Sequence, residues 1–523
     1  MDKKILFVLS MSVATFFAFN YFNKNQQAPQ QYSTGNVPSE IRPGQAYSVP
    51  TAQDLARPVS TEIDFIDKKI TQKEVTKEIE TDLYKISFSN YGGIISTVDF
   101  KKHKGKDGAP LRTIYQRSFY EREEGAFLVA LEAQTPYFYN LVDSKENEKN
   151  IEVTYQAEVN GWLIRKSYAL QKDSYKIDLN LEFEPRKKDV TSIRPRLFYP
   201  APFMGEVAGD VVSGFTIGVD GKSVNKVAPS DLNQAWILPA IFGGEDKYFV
   251  HGLVADKQGF VQRGFFKKTG NGIFPVLEGP EINQKNNYQL SFYVGPKLVD
   301  DLMMGDERLE DLLEFGWFSW FCKLLLKLLA YIYSLVGNFG VAIILLTILL
   351  KLPFVPLTII GSKKQEEYQK YQPTLAKIRA KYKNDMQKMQ QEVALFCKDH
   401  NISQFPPLIG CLPMLIQLPI LLALYRILYS YLDLYQAPFF GWLTDLSSKD
   451  PYYVLPILMG LAMLWSQRLM PTGDDKQKVI MMFMPLFVTA IFINAPAGLV
   501  LYWLTNNLLT VGEAYLKKAI FRK

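Results

Sequence analysis

Cysteine and histidine are scarce in this chain, with three of each in 523 residues. Cys322, Cys397 and Cys411 all lie in the C-terminal part. The long polar region before them therefore carries no disulfide framework and no thiol chemistry. His103, His251 and His400 are far apart, and no zinc-type spacing exists. No metal and no other cofactor is expected. No GxxxxGK[ST] loop occurs, so no nucleotide motif is available to drive work. A net charge of +6 is mild and gives no case for nucleic acid. Long apolar runs are few before residue 310 and crowd into 315–523.

That crowding divides the chain, which is too long for one average domain. Residues 1–22 open with Lys3 and Lys4 and continue as an apolar run with several aromatics. No small-residue cleavage site closes the run, so an uncleaved membrane anchor is expected. The lysines keep the N-terminus cytoplasmic, and the residues after the anchor are exported. Residues 23–58 are rich in Gln, Pro, Ser and Ala and read as a flexible linker.

From 59 to 305 the pattern is β. Tyr175, Ile177, Leu179, Leu181 and Phe183 alternate with Lys176, Asp178, Asn180 and Glu182, a period of two with one buried face. Glycine-rich turn signals separate such runs, for example at Asn90-Tyr91-Gly92-Gly93. Many short strands in a domain of this size predict a large antiparallel β-sandwich. Carbohydrate-acting enzymes use such folds with paired carboxylates or a histidine. Glu182, Glu184, Glu206, Asp210, Asp220, Glu245, Asp246 and His251 are the candidates, but surface solvation or a satisfied strand histidine accounts for each. No catalysis is expected.

Residues 306–336 contain FGWFSWFCKLLLKLLAYIYSLV. Trp317 and Trp320 recur with other apolar residues at three/four spacing, and Lys323 and Lys327 are placed on another face. This predicts an amphipathic helix in the membrane interface. Residues 337–358 form the first core span, GNFGVAIILLTILLKLPFVPLT. Its one charge is Lys351, with Thr347 four residues earlier on the same helical face. An ionisable residue within a span suggests function, and a lysine near one end of the span also snorkels to the headgroups. Both readings stand at this point.

Charge sets the topology. Residues 359–405 hold nine Lys/Arg against five acids, which marks them cytoplasmic. Their spacing predicts a helical hairpin that turns at Asn384-Asp385. Its seam is expected from Leu375, Ile378 and Tyr382 against Met386, Met389, Val393 and Phe396. Residues 406–516 hold four further spans, and the basic tail 517–523 is again cytoplasmic. The count is six spans, five of them in the core.

The stretches VGNFGVAIILLTILLKLPFVPLT, QPTLAKIRAKYKNDMQKMQQEVALF, PLIGCLPMLIQLPILLALYRIL and MPLFVTAIFINAPAGLVLYWLTNNLLT together resemble the YidC-type membrane protein insertases. An anchor, a large exported domain and YVGPK at 293–297 resemble the Gram-negative form. The resemblance implies a polytopic α-helical membrane protein with a five-span insertase core and a large periplasmic antiparallel β-supersandwich, in the bacterial inner membrane. It implies a hydrophilic groove open to cytoplasm and lipid, through which nascent membrane proteins enter the bilayer, alone or with the Sec translocon. The family's groove arginine is replaced here by Lys351. The resemblance also implies Thr347 and Gln417 as polar lining, and Phe439, Met459, Tyr502 and Trp503 as substrate contacts. The hairpin and tail would meet ribosomes or targeting factors. The competing readings are a solute transporter or channel with a periplasmic binding domain, and a tethered carbohydrate enzyme. Transporters show repeated halves, and 337–516 shows none.

Overall fold

The computed structural model describes residues 64–66, 73–105, 108–115, 126–132, 134–136, 138–187, 189–202, 213–217, 224–227, 235–269, 272–313, 319–400, 417, 419–429, 431–469 and 475–521. The expected anchor and linker, and Trp317, lie outside these residues. The chain divides into two compact units, Met1–Leu313 and Glu314–Lys523.

The described residues of the first unit form sheets of four, seven and nine strands. The nine-stranded sheet is built around strand Lys176–Pro185, paired antiparallel with Trp162–Gln171 on one side and Asn286–Pro296 on the other. Tyr175, Ile177, Leu179, Leu181 and Phe183 are all buried, as their period of two predicts. Each such side chain contributes about 1.5–3 kcal/mol of burial free energy. One departure from the antiparallel expectation is the parallel pair Asp64–Ile66 with Gln134–Pro136. The unit also extends past residue 305. Helix α1 (Val299–Gly305) is followed by a 3-10 turn, Glu307–Leu312, that belongs with the sheets rather than with the membrane helices.

The buried face of Trp162–Gln171 contains a lysine. Trp162, Ile164, Lys166, Tyr168 and Leu170 share that face, and Lys166 is 0% exposed. Its Nζ donates to the carbonyls of Gly92 (2.9 Å) and Phe127 (2.6 Å). It also lies over the rings of Tyr139 and Tyr168. Gly92, Gly93 and Phe127 all have positive φ, so these turns are shaped to present their carbonyls inward. Burial drives the Lys166 pKa well below its ordinary value.

The second unit is helical. Of the helix expected over 306–336, residues 307–312 form the 3-10 turn instead, and the described helical part is α2 (Ser319–Val336). Cys322, Leu325, Leu326, Leu329 and Ile332 form its buried face. Trp320, Leu324, Lys327 and Tyr331 are exposed together. The expectation that the lysines occupy a separate face therefore fails for Lys327. At 100° per residue, positions 320, 324, 327 and 331 fall within about 60° of one another. Gly337 at φ +67° and Asn338 then break the chain. The Asn338 side chain accepts from the Val341 amide and caps α3 (Phe339–Lys351).

The expected continuous span 337–358 is also divided. A 3-10 turn, Leu352–Phe354, separates α3 from α4 (Val355–Lys381), which runs on well past residue 358. Pro353 and Pro356 sit at the first turns of these elements, where a missing amide costs nothing. Helix α5 (Met386–Asp399) is capped by Asp385, whose carboxylate accepts from the Lys388 amide. The hairpin seam keeps Leu375, Val393 and Phe396 of the expected set and adds Tyr371 and Cys397. Leu375 and Cys397 are buried, with Tyr371, Val393 and Phe396 packed around them, and Met386 is exposed. Tyr382 lies instead beneath the ammonium groups of Lys381 and Lys388.

Four further helices lie among the described residues of the unit: α6 (Pro419–Tyr429), α7 (Val454–Leu469), α8 (Asp475–Phe492) and α9 (Ala497–Phe521). Among the described residues, α2 alone is long and apolar enough by itself to cross a membrane. The apolar lengths of α3, α6, α7 and α8 are shorter. Helix α9 packs against α3 and α7, and α8 packs against α7.

Candidate functional site

Lys351 is the last residue of α3, and the sequence places it where a helix welcomes positive charge. Phe339, Ala342, Ile343, Leu346 and Thr347 bury one face of this helix. Leu345, Leu349 and Leu352 are exposed. The Lys351 side chain, only 14% exposed, crosses to α9. Its Nζ donates to the Asn506 carbonyl (2.8 Å) and to the Thr510 hydroxyl (2.6 Å). Thr510 in turn donates to the same Asn506 carbonyl at 2.9 Å. The Glu513 carboxylate stands 3.6 Å from the ammonium and is itself 18% exposed.

One turn before Asn506, on the same side of α9, is Tyr502. Its buried hydroxyl accepts from the Gln417 side-chain amide. Tyr502, Asn506, Thr510 and Glu513 thus form one polar stripe within about 80° of the α9 surface. The stripe is about 16 Å long at 1.5 Å per residue. Gln417 meets one end and Lys351 the other. The two ends are joined by hydrogen-bonding groups along α9, while the neighbouring Thr505 and Asn507 side chains donate to carbonyls of their own helix.

The other expected residues are placed differently. Thr347 is buried, and its hydroxyl donates to the Ile343 carbonyl of its own helix at 2.6 Å. Met459 is fully buried on α7. Trp503 lies beside the stripe, with its ring 5.4 Å from that of Phe492. Its indole Nε1 is buried with no hydrogen-bond partner among the described residues. Phe439 packs against Gly340, where a Cβ would collide with its ring. Gly340 is about 16 Å along α3 from Lys351. The structure therefore brings Lys351, Gln417 and Tyr502 to one stripe and puts Phe439 at the far end of α3.

Around Phe439 the loop after α6 is closely bonded. Asp450 accepts from the Trp442 indole (3.0 Å), the Tyr452 amide (3.0 Å) and the Leu455 amide at the start of α7 (2.7 Å). Asp445 accepts from the Gln436 and Ser447 amides. The start of α9 docks on the same loop, with Ala497 donating to Ser448 and Gly498 to Leu446.

Sequence reasoning misses Glu513, Thr510 and Asn506. A signal is nonetheless present, because Glu513 is the sole acidic residue of α9.

The exported candidates have structural partners. Glu182 is held below the usual carboxylate range by its hydrogen bond to Lys285, with Arg165 adding to the effect. Glu245 is buried, but Lys297 and Lys226 at 2.8 and 2.7 Å outweigh desolvation and keep its pKa low. Asp246 accepts the Tyr248 and Phe249 amides. Both ring nitrogens of His251 are occupied, by the Pro200 carbonyl at 2.9 Å and the Thr113 hydroxyl at 3.0 Å. Burial pushes its pKa down to about 4. Glu206, Asp210 and Asp220 lie outside the described residues.

Two family descriptions match the chain. One, 60Kd inner membrane protein, covers residues 331–523, and the other, YidC periplasmic domain, covers 76–328. The membrane protein insertase YidC of Geotalea daltonii is 32% identical over 99% of this chain and 100% of that protein. That of Geobacter metallireducens is 31% identical over 99% of each. A solved structure of an active YidC insertase, with the first transmembrane domain resolved, aligns with 86% of this chain and 94% of its own. The identity is 17% and the TM-score 0.36.

Proposed function

The chain belongs to the YidC family of membrane protein insertases, and from that premise we propose how its own residues handle a substrate. It is an inner membrane protein with a periplasmic β-sheet domain and a helical membrane core, and it is an insertase rather than an enzyme.

The polar stripe of α9, with Lys351 and Gln417 at its ends, is the substrate-handling surface. A polar tail of an incoming protein loses its water on entering some 30 Å of hydrocarbon. Hydrogen-bonding groups and a fixed charge part-way into the bilayer shorten that barrier. The Lys351 ammonium attracts an acidic residue of the tail. The apolar side chains beside the stripe let the substrate's hydrophobic helix move into lipid. Phe439, Met459, Tyr502 and Trp503 make the substrate contacts, and Gln417 orients the Tyr502 hydroxyl. Thr347 supports the stripe by packing, since its hydroxyl is already bonded within α3. Hydrophobic partitioning supplies the drive.

The rest of the chain is assigned around this surface. The core has five spans after an N-terminal anchor, with both termini cytoplasmic. The region containing α2 lies in the interface, with Trp317, Trp320, Lys323 and Lys327 at headgroup level. The hairpin of α4 and α5 and the basic tail receive substrates from ribosomes or targeting factors, and the Sec translocon is a partner.

The observation that carries this reading is the enclosure of Lys351 by the polar groups of α9. It is tested by replacing Lys351 with Arg, Ala and Glu in cells depleted of the native protein. Insertion of an acidic-tailed, single-spanning substrate is then followed. Arg is expected to function, Ala to be impaired and Glu to be worst. Equal insertion by all three variants would leave Lys351 as a snorkelling lysine.

A further inference from the structure

A carboxylate already stands beside the charge that the proposed mechanism offers to substrates. An ammonium has three donors and no acceptor. Two of those on Lys351 are committed, to the Asn506 carbonyl and the Thr510 hydroxyl. Glu513 Oε1 lies 3.6 Å from Nζ. That is ion-pair range, but longer than the roughly 2.7–2.9 Å of a charge-assisted hydrogen bond. Both side chains are mostly buried, at 14% and 18% exposure, so their charges interact more strongly than in water. Glu513 therefore neutralises Lys351 without saturating its third donor.

We propose that Glu513 is a specificity-determining residue for insertion, which a substrate carboxylate must displace to engage Lys351. The proposal rests on the reading of Lys351 given above. At rest the pair is neutral, which lowers the cost of holding a charge in a membrane-embedded unit. An acidic tail gains the difference between its own well-placed hydrogen bond and the looser contact it displaces. A neutral tail gains nothing from this exchange. Glu513 thus damps the preference for acidic tails, and removing its charge sharpens that preference.

The test uses the full-length protein as the sole cellular copy, carrying E513Q, E513D or K351A. Two single-spanning substrates differ at one residue of a short exported tail, Asp in one and Asn in the other. Protease protection measures the ratio of acidic to neutral insertion. E513Q is expected to raise that ratio roughly fivefold. E513D, whose carboxylate is one methylene shorter and so withdrawn from Nζ, raises it less. K351A brings it close to one. If K351A acts as expected but neither Glu513 variant raises the ratio, the Glu513 proposal falls and the Lys351 reading stands. A lowered ratio in E513Q likewise overturns the proposal, because Glu513 then supports the charge instead of contesting it. Equal losses for both substrates mean a structural role only and also overturn it. If E513Q does not accumulate, E513D decides by the same criteria. If K351A leaves the ratio unchanged, both readings fall.

Discussion

Lys166 in the first unit and Lys351 in the second are both enclosed by protein, but in different ways. Lys166 is fully buried, with two carbonyls and two aromatic faces around its Nζ. Those groups belong to turns and strands whose positions the lysine ties together. Lys351 keeps some exposure, and its third neighbour is a carboxylate held at ion-pair distance. In the first case the donors serve the fold. In the second, one donor is left in a contact that another carboxylate is able to improve. Burial of a charged residue therefore does not by itself indicate function. What matters is whether its contacts are all spent on the fold or one of them can be exchanged.

The largest way to break this comparison is K166M in the full-length protein. Methionine keeps the length but strands the Gly92 and Phe127 carbonyls, each costing about 1–3 kcal/mol. The exported unit is expected to lose about 3 kcal/mol, read by hydrogen exchange of its strand amides. The acidic-to-neutral insertion ratio of whatever protein folds should stay at its parental value. A change in that ratio would place Lys166 in the insertion machinery.

A second effect, of similar size but spread over pH, comes from His251. Its pKa in the folded protein is about 4, against 6.5 for the free side chain. The unfolded chain therefore binds the extra proton between these values, and stability rises with pH across that window. It is fully present above about pH 6.5 and falls as the pH drops toward 4, by about 3 kcal/mol in all. H251N should remove this share of the acid sensitivity of the exported unit, measured as the difference in unfolding between pH 7 and pH 4.5. An unchanged pH dependence would mean the imidazole is not held neutral.

The smallest expected effect is at Lys145, whose ion pair with Asp143 is exposed on both sides. K145A is expected to leave melting temperature and insertion unchanged, as an exposed pair is screened by solvent. A measurable loss would blur the distinction between spent and idle lysines.

Much of this architecture is readable from local pattern. The alternation from Tyr175 to Phe183 marks a buried strand face, because period two is a property of the strand itself. Asp385 as a helix cap is equally local. Sequence and structure part where a partner is distant along the chain. Lys166 stands on the buried face of a regular alternation, yet the carbonyls that accept from it come from residues 92 and 127. The hairpin seam is shifted from the expected heptad by the packing of Leu375 on Cys397. Lys327 faces the same way as Trp320, because seven residues bring a helix back to within about 20° of its starting direction. At the candidate site, Lys351 is legible as the one charge in an apolar span, and Gln417 and Tyr502 through the family resemblance. Glu513 is not, although an isolated acid in an apolar helix is itself a signal that a cation is near.

The most direct measurement is site-specific photo-crosslinking from Asn506 on α9 to a stalled nascent chain with one acidic residue in its exported tail. The stripe and Lys351 together predict a strong crosslink to that tail. It should weaken sharply with K351A, and also when the tail residue is changed from Asp to Asn. A crosslink of the same yield in all three cases would contradict the claim that the Lys351 ammonium recruits the substrate to α9.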